Sequence, residues 1–448
     1  MPQESQSSLQ KHIKDILSEY QDAETCWIAF SGGLDSHVLL HVLAKIRNEI
    51  KPELVAVHVN HGMSHDAESW TKHCQKKCED YAIKFQSFCV DLSQKSDKGV
   101  EAFAREKRYE VFRDLINSHD LLLTAHHMND QVETIILQLM RGSGPDGLVG
   151  MPQSREFSEG LLVRPLLDYS RKELHDYALS ESLNWVEDDS NKSNKYDRNY
   201  LRNKIIPVLL TRWPGALKTV QRAARHQADA RNLINEISSN DLEVVCKSEY
   251  TKLELSEFHN LSYVRKKNVL RAWIKKNKLE MPSAQIIENI NAEVIHANTD
   301  RNPCIRWKGG EIRRYRKYLY IIKSLPLHDV GMRIPWNLEE TLKLTSGCLK
   351  AVSGKGFGVK KKILLNNSVE VRYRQGGEQI RPSGRANMHE LKKMFQEQGV
   401  LPWLRDRIPL IYYENELIAV ADLWIESKYA ATKSEPAWKI EWDWLDDY

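Results

Sequence analysis

The glycine loop near the N-terminus, residues 31–36, contains no lysine and fits neither G-x-x-x-x-G-K-[ST] nor G-x-G-x-x-G. Those mismatches exclude a Walker-type loop and a dinucleotide fingerprint there. Cys-x-x-Cys is missing from the whole chain and the seven cysteines are scattered, so paired-thiol redox, sulfur-transfer and iron–sulfur chemistry lack their usual ligand set. Cys74 and Cys78, four apart beside His73, have no second pair to complete four metal ligands and read as buried thiols. No apolar run approaches the ~18 residues of a membrane span. Residues 1–10 are polar, without the h-region of a signal peptide. A cytoplasmic protein with no membrane partner is expected. Strong charge bias is also lacking: the net charge is +4 over 448 residues, so any nucleic-acid face has to be local. No internal repeat or low-complexity segment is present.

Among what is present, Cys26-Trp27-Ile28-Ala29-Phe30 is an apolar run of strand length, and His37-Val38-Leu39-Leu40-His41-Val42-Leu43 has a helical apolar repeat. Between them stand Ser31, Gly32, Gly33, Leu34, Asp35 and Ser36. Strand, glycine turn and helix make an anion cradle: glycines admit close approach of backbone N–H groups, the helix N-terminus adds its dipole, and Ser31 and Ser36 add donors. The same turn is also compatible with an ordinary strand-to-helix connection capped by Asp35 or Ser36.

Strand and helix patterns then alternate to residue 140, which argues a doubly wound α/β domain. A second strand, residues 54–60, ends in His58, Asn60 and His61, at the end of the sheet where a nucleotide base or ribose would lie. Arg105 and Arg108 share one face of a helix over residues 100–116, either as a phosphate or RNA clamp or as solvated charges. After a fourth strand, residues 121–125, come His126, His127 and a helix that opens with Asp130 and Glu133. That spacing fits a capping box. It also fits two carboxylates facing the loop, able to hold Mg²⁺ or an ammonium. Residues 141–147, Arg-Gly-Ser-Gly-Pro-Asp-Gly, are expected to be a flexible substrate loop.

Ser31-Gly32-Gly33-Leu34-Asp35-Ser36 resembles the pyrophosphate-binding loop of the PP-loop ATPases. The resemblance narrows with Val59-Asn60-His61-Gly62, Glu101-Ala102…Arg105…Arg108-Tyr109, Ala125-His126-His127 through Glu133, Arg141-Gly142-Ser143-Gly144 and Arg198-Asn199…Arg202…Pro207. In this order they are similar to the tRNA(Ile)-lysidine synthase family. One departure is that Asn129 stands where the family usually has an aspartate before Asp130.

The resemblance implies ATP and Mg²⁺ at residues 31–36, with Asp35 near the metal. It implies ligation of free L-lysine to carbon 2 of the wobble cytidine in the CAU anticodon of isoleucine tRNA. The product is lysidine, made through an adenylated cytidine with AMP and pyrophosphate released, which switches codon reading from AUG to AUA. Asp35, Asp130, Glu133 and Arg105 are the implied catalytic residues. His58 and Asn60 join the loop in nucleotide binding. Arg108, His127, Arg141, Arg198 and Arg202 are implied in substrate binding. Competing expectations are another PP-loop activity, such as thiolation or amidation, and a tRNA-binding module without catalysis.

Beyond a catalytic domain over 1–212, a mainly helical tRNA-binding middle domain is expected over 213–328. Within it, residues 301–323 carry eight Lys and Arg against one acid, interleaved with Trp307, Tyr315, Tyr318 and Tyr320. That pattern suits phosphate contact with base stacking, or an exposed hairpin turning at Gly309-Gly310. A connection over 329–368 and a small α+β tRNA-binding domain over 369–448 complete the expectation. From 371 to 407 that last domain has eight Lys and Arg against four acids.

Overall fold

The structure is a computed structural model that describes residues 2–62, 67–91, 100–187, 194–297, 302–364 and 368–445; the side chain of Glu101, quoted above, lies outside the described residues. The chain forms two compact units, Met1–Leu233 and Ile234–Tyr448.

In the first unit, α1 (Pro2–Ser18) precedes β1 (Thr25–Ala29), α2 (Leu34–Ile46), β2 (Glu53–Asn60), α3 (Ala67–Asp80), β3 (Lys84–Cys89), α4 (Val100–Leu115) and β4 (Asp120–Leu123). Then follow α5 (Met128–Met140), α6 (Pro145–Leu148), β5 (Ser154–Phe157), β6 (Gly160–Val163), α7 (Arg171–Ser180), α8 (Asp197–Tyr200), α9 (Ile206–Arg212) and α10 (Ala216–Cys246), which starts in the first unit and runs past its end at Leu233. The sheet order is β3-β2-β1-β4-β6-β5, parallel except for the edge strand β5.

Two cores explain this wrapping. Cys26 and Ile28 on β1 join one apolar cluster with Leu39, Leu40 and Leu43 of α2 and Leu174 of α7. Trp27 and Ala29, one residue out of phase, join the other with Phe112 of α4. A strand with both faces covered is what a doubly wound sheet requires. Burying each α2 leucine contributes about 1.5–3 kcal/mol, which fixes the helix whose first turn forms the site. From β1 the chain winds one way to β2 and β3, then crosses to β4 on the other side. The carboxyl ends of β1 and β4 therefore flank the switch point, where ligands bind in such sheets.

In the second unit, β7 (Lys252–Glu254), α11 (Leu255–His259), α12 (Tyr263–Lys276) and α13 (Ala284–Asn289) precede β8 (Cys304–Trp307), β9 (Gly310–Tyr315) and β10 (Tyr318–Ile322). The middle region is helical, as expected, and Ser283 caps α13 through the Ile286 N–H. Its basic–aromatic stretch is an antiparallel meander in a sheet ordered β7-β10-β9-β8, with Gly309 at φ +107° in the first turn. The chain continues through β11 (Arg333–Asn337), β12 (Leu342–Leu344), β13 (Gly347–Lys355), β14 (Val359–Lys360) and β15 (Ser368–Arg372). β11 pairs with β15 from Arg333↔Arg372 to Asn337↔Ser368. β13 pairs along Pro436–Trp444, so the stretch read as a connection supplies strands to the C-terminal sheets.

Candidate active site

The loop after β1 is tied down from several directions. The Ser31 and Ser36 hydroxyls share a hydrogen bond at 3.0 Å, and Ser36 Oγ lies 3.0 Å from Gly33 O, to which it donates. Val186 N–H donates to Gly32 O. Gly32 sits at φ +83°, and a Cβ there would stand 2.8 Å from Cys74 Sγ, so both backbone and space call for glycine. Gly33 is the N-cap of α2 and supplies no side-chain cap. The first N–H groups of α2 thus keep their capacity for an anion. Cys74 and Cys78 beneath the loop are pushed up to about 12 by burial, so neither is a thiolate at neutral pH.

Across the switch point, His127 is the buried N-cap of α5. Its Nε2 is 3.5 Å from Asp35 Oδ2 and its Nδ1 is 3.4 Å from Asp130 Oδ2. Asp130 Oδ2 also accepts from the His127 backbone N–H at 3.0 Å. The capping reading therefore holds for Asp130, whose carboxylate also lies next to the His127 ring that reaches Asp35. Burial works against a charged His127, but the carboxylates of Asp130 and Asp35 outweigh it and the imidazole is raised above its ordinary range. Burial would likewise raise Asp130, yet His127, Arg198, His126 and Arg202 hold it down at about 2. Asp35 Oδ1 is buried with no hydrogen-bond partner. An open carboxylate oxygen beside an anion cradle suits Mg²⁺, which usually binds through one or two carboxylates plus substrate phosphates.

Glu133 differs from the expectation. Its side chain is 0% exposed; Arg198 Nε donates to Oε2 at 2.7 Å, and Arg202 Nε and Nη2 donate to Oε1 and Oε2 at 2.7 and 2.9 Å. Arg202 Nη2 also donates to Asp130 Oδ1 at 2.9 Å. Glu133 thus accepts three hydrogen bonds from two guanidinium groups and holds both arginines in place. Both arginines come from residues 197–205, where α8 runs into a π-turn, a wide turn often found at functional sites.

The remaining expected residues separate into three groups. His58 lies under the loop and donates from Nδ1 to Phe30 O at 3.0 Å; burial lowers its pKa. Arg108 Nε donates to His61 Nε2 at 3.1 Å, and Arg105 is exposed over the Tyr109 ring. Asn60 instead braces the turn after β2: its Nδ2 donates to Ala67 O and Thr71 Oγ1, and its Oδ1 accepts from Gly62 N–H. The Asn60 side chain thus serves groups of its own turn and of the start of α3. Arg141 caps the far end of the 13-residue α5, roughly 20 Å from His127 at 1.5 Å per residue. The following Gly142…Gly147 run spells G-x-G-x-x-G but follows a helix, not a strand, so it lacks the dinucleotide-binding context.

Sequence reasoning did not single out His126, Cys74 or Val186 as site residues. Burial lowers His126 to about 3, a neutral imidazole whose Nδ1 is 2.9 Å from Thr124 Oγ1. Asn129 accepts from the Arg171 N–H at 3.0 Å, at the start of α7. The departure from the family pattern thus falls on a bond between elements, one that an aspartate would also make.

This loop on this sheet defines a PP-loop domain, and residues 3–209 match the family description "PP-loop domain". Residues 253–320 match "TilS substrate binding domain" and residues 369–442 match "TilS substrate C-terminal domain". Curated relatives named tRNA(Ile)-lysidine synthase include that of Coxiella burnetii, 40% identical over 96% of this chain and 96% of its own. That of Methylococcus capsulatus is 35% identical over 93% and 95%. The chain belongs to the tRNA(Ile)-lysidine synthase family and is an enzyme of that family. Among the described residues, no helix is long and apolar enough to cross a membrane.

Proposed function

We propose that this enzyme uses ATP to join free L-lysine to carbon 2 of the wobble cytidine in CAU-bearing isoleucine tRNA, in the cytoplasm. The observation that carries the reading is the chain Asp35–His127–Asp130 set against an uncapped helix N-terminus. In this reading the cytidine carbonyl oxygen attacks the α-phosphate of ATP. Loop N–H groups and the Ser31 and Ser36 hydroxyls take up the charge of the departing pyrophosphate. Asp35, through its open oxygen, would hold Mg²⁺, which would neutralise phosphate charge when bound. His127 fixes the orientation of Asp35 from the other side.

The ε-amine arrives as an ammonium of pKa ~10.4 and has to lose a proton before it attacks carbon 2 and expels AMP. A carboxylate held at about 2 is a weak base. Asp130 therefore acts through its charge on the ammonium, and the proton passes to solvent water. Glu133 positions Arg198 and Arg202 toward phosphate or RNA, and Arg105 and Arg108 offer further positive charge. The basic strands β8–β10 and the C-terminal sheets bind tRNA. Pyrophosphate release tests the first half: it should require both ATP and CAU-anticodon tRNA. Release that ignores the tRNA would sink the adenylation step.

A further inference from the structure

The strand Pro436–Trp444 is fully paired on one side only. It lies against β13 from Gly347↔Trp444 to Lys355↔Pro436. On its other side β14 pairs with Ala437 and Trp438, and no strand follows beyond them among the described residues. The register shows which backbone groups that outer edge offers. Leu445 N–H donates to Ser346 O on the β13 side, and Pro436 O accepts from Lys361 N–H on the other. Alternate residues of an antiparallel strand turn their N–H and C=O groups to opposite sides. Ile440 and Trp442 therefore turn theirs outward, away from β13. Such an edge is a template for another strand.

A cavity of about 580 Å³ runs along this edge, with residues 439–443 lining one side and residues 421–425 another. Five residues at ~3.3 Å each make a slot about 16 Å long, and the volume falls within the ~300–1,000 Å³ of ligand sites. The indole N–H of Trp442, a buried residue of that wall, has no acceptor. Phe357, 89% exposed, adds an apolar ring to the same cavity.

Charge selects the occupant. Asp422, Glu441 and Asp443 line the cavity against one cation, Lys439. Lys439 is bound to Glu441 at 2.7 Å and Asp443 to Lys350 at 2.8 Å, while Asp422 has no ion pair among the described residues. Burial, then the charges of Asp443 and Glu441, push the Asp422 carboxyl above its ordinary range, so a cation between them would relieve all three. A nucleic-acid backbone carries the wrong sign for this lining. A second copy of the edge is also wrong, since pairing Ile440 with Trp442 across a two-fold axis sets Glu441 against Glu441. Lys439, Glu441 and Asp443 share one face of the strand and Ile440 and Trp442 the other. We propose that this edge takes an extended segment of a protein partner by strand addition, one in which lysine or arginine alternates with apolar residues. Its backbone bonds the outward groups of Ile440 and Trp442, and its cations stand over Glu441, Asp443 and Asp422.

The probe is a fluorescent hexapeptide alternating valine and lysine, blocked at both ends and titrated into the full chain by anisotropy. Binding with a Kd below ~1 mM is expected. Two further versions carry N-methyl groups on the lysine amides or on the valine amides. At least one should bind ~10-fold weaker or worse, because its methyl groups replace the N–H groups that face the edge. Glutamate in place of lysine should weaken the peptide to a similar degree, as should Asp422→Lys in the protein. Asp422 is exposed, and equal melting temperatures for variant and wild type check that the fold is kept. No binding of the valine–lysine peptide overturns the proposal. So does parent-like binding by both N-methylated forms, or an unchanged Kd with Asp422→Lys.

Discussion

Arg202 grips Glu133 in a two-pronged pair, Nε to Oε1 at 2.7 Å and Nη2 to Oε2 at 2.9 Å, on a carboxylate with no exposed surface. Removing the carboxylate leaves two guanidinium groups without it. Glu133→Ala should cost about 3–5 kcal/mol in the first unit and abolish turnover. Arg202→Lys keeps the charge but loses the fork, and should lower turnover with a smaller drop in melting temperature. Thermal melts and turnover on the same preparations check both; a fully active Glu133→Ala would show that the arginines need no such holder.

His127 stands between Asp35 and Asp130 and its pKa is raised. Its imidazolium contribution to stability is complete below its unfolded value near ~6.5 and is lost as pH rises through the raised folded value. His127→Asn replaces the ring-nitrogen cap acceptor with an amide oxygen and removes the titration. Wild type should therefore show an inflection above pH 6.5 in ATP affinity that the variant lacks. Matching profiles for the two proteins would rule out His127 as the titrating group.

Neutral histidines act in the opposite direction. His37 and His61 are lowered to about 4 and His126 to about 3, each chiefly by burial. The unfolded chain binds protons at these positions first, so stability falls as pH drops below ~6.5 toward 4. For the buried His37 alone this amounts to about 3 kcal/mol. Melting temperatures measured from pH 7 to 4 should decline, and His37→Gln should flatten the slope. An unchanged slope would mean that His37 takes a proton as readily folded as unfolded.

At Gly32 the expected penalty has two parts, a positive φ and contact with Cys74. Gly32→Ala should weaken ATP binding at least ~10-fold, since the left-handed backbone alone costs about 1–2 kcal/mol. Adding Cys74→Ala removes the contact and not the backbone strain, so it should recover only part of the loss. Full recovery in ATP titrations would assign the whole effect to the side-chain clash.

How much of this was legible depended on sequence distance. The β1–loop–α2 unit is local: apolar run, two glycines and an apolar helix repeat stand within twenty residues. The Asp130–Glu133 spacing was equally plain, but their partners come from 65 to 72 residues away, so the burial of Glu133 had no local sign. Asn60 shows the converse, a polar strand end that served its own turn. Arg141 could have been set apart beforehand, because a helix as long as α5 carries its C-cap away from its N-cap residues. The strands within 329–368 were harder to read, since they are short and mix lysine with apolar residues.

The central claim is that lysine becomes attached to the wobble cytidine. Mass analysis of nucleosides from CAU-anticodon isoleucine tRNA, incubated with the full chain, ATP, Mg²⁺ and L-lysine, tests it most directly. The expected result is a cytidine heavier by one lysine less water, absent when ATP or lysine is omitted. Unmodified cytidine alongside tRNA-dependent pyrophosphate release would contradict the claim and point to a different acceptor for the activated base.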